Sequence, residues 1–212
     1  MSILLEISEA LQKGKAKIVS ELVQKALDEG QGPETVLKDG LLGGMDVISD
    51  KFKNNEVYVP EVLVAARAMN AGMEILKPRL AESGVKPIGK AIIGTVKGDL
   101  HDIGKNLVRM MMEGKGIEVI DVGVDVSAEK FFEAFEKEGA DIIACSALLT
   151  TTMREMKNVV DYFTEKGARD KVKIMVGGAP ITDSYCKSIG ADHYAADAAT
   201  AADMAREALA GA

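Results

Sequence analysis

The sequence predicts an α/β protein in which an N-terminal four-helix bundle precedes a flavodoxin-like, five-stranded parallel sheet. Two observations predict this class: apolar residues recur at helical spacing through residues 1–82, and short apolar runs alternate with helical segments after Lys90. A β–α–β rhythm favours a parallel sheet with right-handed crossovers. We therefore expect a bundle domain at residues 1–82, a linker at 83–89 and a Rossmann-like domain at 90–212.

The N-terminal segment is predicted to contain four amphipathic helices joined by short connections, an arrangement that favours a compact bundle. The second helix has the clearest pattern, with apolar residues at Val19, Leu22, Val23, Ala26 and Leu27. Pro33 suits the first turn of the third helix, and Pro60 starts the fourth. The small and polar residues of Ser83–Gly89 predict the linker.

Five apolar runs predict the strands of the sheet, at about residues 91–96, 118–122, 142–145, 173–176 and 192–195. The segments between them have helical patterns, and residues 128–138 are charged on one side and carry phenylalanines on the other. Five strands at this length suit the flavodoxin-like strand order, in which ligands bind beyond the carboxyl ends of the strands.

Composition excludes several classes of function. The net charge of −7 argues against a nucleic-acid partner or an anionic membrane surface. Cys145 and Cys186 form no disulfide framework and no CxxC pair, which fits a reducing compartment. No apolar run approaches the length of a membrane span, and the N-terminus has no signal-peptide pattern. We expect a cytoplasmic protein.

A polar turn after the first predicted strand holds Asp99 and His101, and His101 is one of only two histidines in the chain. Asp99 can hold one ring nitrogen of His101 and leave the other free as a metal ligand. Gly98 and Gly104 would let a bulky ligand approach the backbone closely. The alternative is a solvated loop histidine that caps the next helix, and these residues alone leave both interpretations open.

The pattern Asp-x-His-x-x-Gly, formed by Asp99, His101 and Gly104, resembles the cobalamin-binding motif of methionine synthase and its relatives. The resemblance implies that His101 is the lower axial ligand to cobalt and that Asp99 is its hydrogen-bonding partner. It also implies cofactor contacts from the other residues of this loop, which are Gly98, Leu100, Asp102 and Ile103.

The loop after the third predicted strand adds to the resemblance. Ser146-Ala-Leu148 is similar to the family's Ser-x-Leu element, whose serine hydrogen-bonds the nucleotide tail, and Thr150 falls at another contact position. Thr152 stands where methionine synthase has a serine that completes an Asp–His–Ser relay, which implies a relay of Asp99, His101 and Thr152. Independently of the resemblance, one hydroxyl of this loop is expected to cap the next helix.

Three further segments are similar to the family. Gly177-Gly178 matches the glycine pair that lines the slot for the tail, and Ala198 stands at the last contact position. The bundle resembles the helical cap over the upper cobalt face, with contacts implied for Phe52, Tyr58 and Val59. A partner enzyme would reach a methyl group only after the cap moved, so Ser83–Gly89 is also a predicted hinge.

A bundle followed directly by a cobalamin domain resembles the free-standing corrinoid proteins of methanol, methylamine and aromatic methyl-ether methyltransferase systems. The resemblance implies base-off, His-on binding of cobalamin or a related corrinoid, as methylcob(III)alamin and cob(I)alamin. It implies a methyl carrier between a substrate-specific methyltransferase and a second methyltransferase with a tetrahydrofolate or thiol acceptor, served by a reductive activase. The chain offers no nucleophile or substrate pocket, so we expect it to be non-catalytic alone.

Other classes of protein fit less well. A cobalamin-responsive regulator or sensor without a transfer role would share the motif, but a DNA-binding regulator needs a basic module that this acidic chain lacks. The small subunit of an adenosylcobalamin mutase normally lacks a bundle. A phosphoacceptor receiver domain needs an aspartate after the third strand, where this chain has Cys145-Ser146. The sequence does not name the methyl donor.

Overall fold

The amphipathic N-terminal segments form helices, as predicted. In the computed structural model, which describes residues 2–211, these helices are α1 (Ile3–Gln12), α2 (Ala16–Asp28), α3 (Pro33–Thr35), α4 (Gly43–Lys53) and α5 (Val59–Glu82). A π-helix, Val36–Leu42, joins α3 to α4, so the third predicted helix is continuous but locally wider. Gly40 within it lies against α1, because a Cβ there would be 3.2 Å from a methyl group of Ile7.

The chain divides into two compact units. The helical unit comprises the residues up to Pro87 together with Gly114–Gly116, and the sheet unit comprises Ile88–Glu113 and the residues from Ile117 onward. Large, fully buried side chains form the core of the helical unit: Ile7, Leu11, Leu41, Met45, Ile48 and Leu76. In the part of the chain that the structure describes, no helix is both long enough and apolar enough to cross a membrane.

The sheet unit has the predicted flavodoxin-like topology. Its strands are β1 (Lys90–Thr95), β2 (Glu118–Asp121), β3 (Ile142–Ser146), β4 (Lys173–Gly177) and β5 (His193–Tyr194). They are parallel and have the order β2-β1-β3-β4-β5, which confirms the predicted fold class. The helices of this unit are α6 (Ile103–Glu113), α7 (Ala128–Glu138), α8 (Arg154–Glu165), α9 (Asp183–Ile189) and α10 (Ala198–Ala210).

Aromatic side chains pack α7 against α8 and against the sheet. The ring of Phe132 lies 5.2 Å from the ring of Phe163, edge to face. Phe131 is fully buried against β1, where Gly94 makes room for it, because a Cβ at Gly94 would lie 2.8 Å from the Phe131 ring. This packing fixes the layer of helices on one face of the sheet and leaves the carboxyl edge to the loops.

The register of the strands determines which loops meet. Thr95 at the end of β1 pairs with Ser146 at the end of β3, and Ser146 pairs with Gly177 at the end of β4. The backbone pairing continues one residue further, since Val96 N–H donates to the Ser146 carbonyl and Ala147 N–H to the Gly177 carbonyl. Three loops singled out in the sequence therefore begin side by side at one edge.

Candidate functional site

A buried carboxylate lies at the centre of this edge. Asp99 is fully buried in the loop between β1 and α6. Its Oδ1 accepts from the His101 backbone N–H (3.1 Å) and lies 2.7 Å from the His101 Nδ1. Its Oδ2 accepts from the backbone N–H groups of Leu148 (2.8 Å) and Leu149 (3.1 Å) and from the Thr152 hydroxyl (2.8 Å). One side chain thus joins the loops that follow β1 and β3.

These hydrogen bonds decide the charge of the carboxyl group and the tautomer of the histidine. Burial by itself raises the pKa of Asp99, but the hydrogen bonds from His101, Leu148 and Thr152 outweigh it and hold that pKa well below its usual range. An ionised carboxylate only accepts hydrogen bonds, so Nδ1 of His101 carries the ring proton. The Nε2 atom of this half-exposed side chain keeps its lone pair available for a metal.

Thr152 is held by the carboxylate rather than by the next helix. Its hydroxyl lies 2.8 Å from Asp99 Oδ2 and 2.9 Å from the Leu149 carbonyl, and its single proton favours the carboxylate as the stronger acceptor. The residue before α8 is Met153, which makes no side-chain capping bond. The expectation that a hydroxyl of this loop caps the next helix is therefore wrong, because the candidate hydroxyl points to Asp99.

Exposed aliphatic side chains follow three strands at the edge of the sheet that carries His101. We use the name apolar rim for five of them, which lie in or directly after the loops that follow β1, β2 and β3: Leu100, Ile103, Val124, Leu148 and Leu149. Leu100 and Ile103 flank His101 in sequence and are 71% and 79% exposed. A concentration of large apolar residues on a surface marks a binding site more often than chance exposure does. The rim therefore offers apolar surface to a ligand at this edge of the sheet.

The predicted glycines differ in what surrounds them. A Cβ added at Gly104 would meet nothing within 4 Å. A Cβ added at Gly177 would have the Ala195 carbonyl oxygen as its nearest neighbour, at 3.6 Å. The backbone of Gly98 has a φ of +79°, a left-handed conformation that favours glycine. At Gly178, φ is +126° and a Cβ would lie 1.9 Å from the Ala147 carbonyl oxygen. Gly178 is thus required by the local backbone, whereas the space beside Gly104 and Gly177 is open to a ligand.

The remaining predicted residues are distributed over both units. Ser146 is half-buried beside Gly177, Thr150 and Asp102 are exposed, and Ala198 is buried at the first position of α10. Asp102 accepts from the Asn106 side chain at 3.0 Å. In the helical unit, Phe52 is half-buried near the end of α4, Val59 is half-buried as the first residue of α5, and Tyr58 is 64% exposed just before it. Cofactor contacts from these residues stay predictions.

Two residues that sequence reasoning missed hold the backbone of the His101 loop. The Thr95 hydroxyl donates to the His101 carbonyl at 2.8 Å, and the Asp125 carboxylate accepts from the Gly98 N–H at 2.7 Å. The strand order contained a signal for Asp125, because β2 lies beside β1 and the loops that follow the two strands must be neighbours. Thr95 reads as an ordinary buried strand residue and gave no signal.

Comparisons with known proteins find related sequences over almost the whole chain. Two family models match, each described as a B12 binding domain, over residues 89–207 and residues 3–77. The chain is 42% identical over 212 residues to a corrinoid protein of Desulfitobacterium hafniense, covering 99% of this chain and 98% of that protein. It is 42% identical over 210 residues to a dimethylamine corrinoid protein of Methanosarcina barkeri, covering 98% of each.

A solved structure is similar over almost the whole chain. The crystal structure of the methanol:cobalamin methyltransferase complex from Methanosarcina barkeri contains a chain that matches with a TM-score of 0.89 and 32% sequence identity. The match covers 99% of this chain and 80% of that chain. The similarity therefore includes the helical N-terminal region as well as the sheet.

The hydrogen bond from Thr152 to Asp99 should contribute measurably to stability. Thr152→Val keeps the shape of the side chain but removes the donor, so we expect the free energy of unfolding of the cofactor-free protein to fall by about 1.5 to 3 kcal/mol, as for a hydrogen bond to a charged group. Thr152→Ser keeps the hydroxyl and serves as the matched control. Urea unfolding followed by circular dichroism measures both. Equal stability of the valine and serine variants would contradict the assignment of this hydrogen bond.

Proposed function

Because the chain belongs to the family of corrinoid proteins with B12-binding domains, we propose that it is a methyl carrier of a corrinoid-dependent methyltransferase system. The chain binds cobalamin or a related corrinoid, whose cobalt, when bound, supplies the chemistry of accepting and giving up a methyl group. The observation that carries the proposal is the arrangement of His101, whose Nδ1 is engaged by buried Asp99 while the side chain is half-exposed.

In this proposal His101 would hold the cobalt through Nε2 in place of the cofactor's own base, so the cofactor would be bound base-off and His-on. Asp99 keeps the ring in the tautomer that presents a lone pair at Nε2. A carboxylate at Nδ1 also makes the imidazole a stronger donor to a metal. Thr152 and the two backbone N–H groups after β3 fix the carboxylate, so the ring cannot turn away without breaking a buried hydrogen bond.

The surface around His101 fits the other parts of such a cofactor. The apolar rim offers aliphatic contacts to the face of a macrocycle, and Gly104 leaves the backbone open to it. We assign the displaced nucleotide tail to the space beside Gly177, with the half-buried hydroxyl of Ser146 next to it as a hydrogen-bonding group. Gly178 keeps the loop beside this space in its conformation rather than making room for the tail.

We propose that the partners are a substrate-specific methyltransferase, a second methyltransferase with a folate or thiol acceptor, and a reductive activase. The relatives are named for different methyl donors, dimethylamine in one case and methanol in another. We infer that the partner enzyme rather than the carrier selects the donor.

We further propose that the segment after α5, up to Ile88, connects the two units flexibly, because most of its residues are exposed. Gly89 is not included in this segment, because it packs closely against Leu209.

Loss of the axial ligand should be visible in the absorption spectrum. His101→Ala should retain cofactor, because the rim and the tail contacts remain, but its spectrum should lose the signature of imidazole coordination. His193→Ala, which removes the only other histidine of the chain, is the matched control and should keep the wild-type spectrum. A wild-type spectrum in the His101 variant would show that the ligand is another residue.

The space beside Gly177 should be essential for retaining the cofactor. Gly177→Val fills that space, while the first added atom meets nothing closer than 3.6 Å in the protein itself, so the fold should persist. We expect the dissociation constant for the corrinoid to rise by about tenfold or more, roughly 1.4 kcal/mol, so that most of the cofactor is lost on gel filtration. Gly32→Val, at an exposed glycine of the helical unit with similar free space, is the control. Normal retention by the Gly177 variant would place the tail elsewhere.

Carrier function requires that the loaded protein accept a methyl group and keep it. After reduction of the protein-bound cofactor, isotope-labelled methyl iodide should transfer one methyl group per cofactor, and the label should stay with the protein through gel filtration. The unreduced loaded protein is the control and should take up no label. If the reduced protein also takes up none, the chain binds the cofactor without carrying methyl groups, as a sensor would.

A further inference from the structure

Two hydrogen bonds hold the backbone of the His101 loop at its two ends. The Asp125 N–H donates to the Asp99 carbonyl at 3.0 Å, and the Thr95 hydroxyl donates to the His101 carbonyl at 2.8 Å. Leu100 between them is largely exposed. The segment Asp99–His101 is therefore fixed at both ends by residues outside it, although neither Thr95 nor Asp125 belongs to the Asp-x-His-x-x-Gly pattern.

Asp125 makes a second contact with the same loop. Its carboxylate accepts from the Gly98 N–H at 2.7 Å, so its side chain holds the backbone of Gly98 while its main-chain N–H holds the carbonyl of Asp99. This arrangement depends on the backbone of Asp125, whose φ is +53°. Side chains disfavour this left-handed conformation, and aspartate tolerates it better than most residues. Within residues 2–211, Asn55 is the only other non-glycine residue with a positive φ.

The segment that carries Asp125 is itself tied to the sheet. The Thr95 N–H donates to the Gly123 carbonyl, and the Val126 N–H donates to the Thr95 carbonyl, both at 2.9 Å. At the end of β2, the Asp121 carboxylate accepts from the buried ammonium group of Lys105 on α6 and from the Gly123 N–H. The loop after β2 is thus attached to β1 before the His101 loop and to α6 after it, which makes it a fixed support.

The direction of the imidazole follows from this support. The Asp99 carboxylate can meet Nδ1 of His101 only while the backbone between the two residues keeps its conformation, because they are separated by one residue. We propose that Asp125 and Thr95 are positioning residues for His101. They act through the backbone of the His101 loop to set the tautomer of the imidazole ring and the strength with which Nε2 binds the metal. The tautomer is a property of the cofactor-free chain, whereas the effect on the metal rests on the proposed function.

Variants of Asp125 separate positioning from general stability. Asp125→Gly keeps the left-handed backbone and the N–H donor but removes the acceptor for Gly98. Asp125→Asn also tolerates this backbone and keeps a side-chain oxygen, so it should restore wild-type behaviour. Because glycine favours the local backbone, thermal unfolding of the glycine variant should stay close to that of the wild type.

Thr95 gives an independent pair of variants. Thr95→Val keeps the branched shape inside the sheet but leaves the His101 carbonyl without its donor, and Thr95→Ser keeps the donor. In the wild type, the Thr95 hydroxyl is fully buried and donates to the His101 carbonyl. If the valine variant fails to fold, Asp125→Gly alone still tests the proposal.

The first readout uses the cofactor-free protein. Nuclear magnetic resonance of the histidine ring nitrogens at alkaline pH, where imidazoles are neutral, reports which nitrogen carries the proton. His193→Ala identifies the signals of His101. In the wild type we expect the proton on Nδ1; in Asp125→Gly and Thr95→Val we expect the tautomer with the proton on Nε2 to rise by about 3- to 10-fold, the factor that one hydrogen bond of ordinary net strength provides.

The second readout uses the loaded protein. Added cyanide would compete with His101 for the cobalt, so the cyanide concentration that displaces half of the imidazole should fall by a similar factor of about 3 to 10 in both variants. The Asn and Ser variants should match the wild type in both readouts. The proposal would be overturned if Asp125→Gly folds and shows the wild-type value in both readouts. It would also be overturned if Asp125→Asn changes the two readouts as much as Asp125→Gly does. If the wild type binds no corrinoid, the proposed function fails, while the ring measurement still decides the positioning role.

Discussion

The site depends on one buried charge, the carboxylate of Asp99. A carboxylate without access to water is costly unless donors surround it, and here it accepts hydrogen bonds from His101, the two backbone N–H groups after β3 and Thr152. These donors come from two loops that only the β1–β3 pairing brings together. The charge therefore links the strand order, the shape of both loops and the tautomer of His101 in a single set of contacts.

The sequence predicts much of this because the decisive features are local or follow from topology. Strand and helix patterns predict a parallel sheet of flavodoxin-like order, and parallel strands bring their carboxyl ends to one edge. Asp99 and His101 are one residue apart in the same loop, so their contact needs no long-range pairing. The role of Gly178 was not predictable in the same way: its sequence context indicates a slot for a ligand, but the structure shows a left-handed backbone against the Ala147 carbonyl. That close approach depends on coordinates, not on a residue pattern.

Neither cysteine of the chain is in a state that would compete for a methyl group. Cys145 lies in β3, directly before Ser146, but its side chain is buried in the sheet. Burial raises the pKa of its thiol to about 12, and burial also raises the pKa of the Cys186 thiol. Since the thiolate is the nucleophilic form, neither cysteine is suited to attack a methyl group at neutral pH. A protein that holds a reactive methyl group for another enzyme benefits from such inert surroundings.

The contacts around His101 divide into those made by side chains and those made to the backbone. Asp99 contacts the ring directly and belongs to a recognisable pattern, whereas Asp125 and Thr95 contact only main-chain atoms of the loop. Every residue has a main-chain carbonyl, so hydrogen bonds to the main chain place little constraint on which residues are contacted. Such contacts are therefore hard to predict from the sequence of the loop. The pairing of Asp99 with His101 is therefore visible in the sequence of one loop, while the neighbouring segments that hold the backbone of this loop carry no motif of their own.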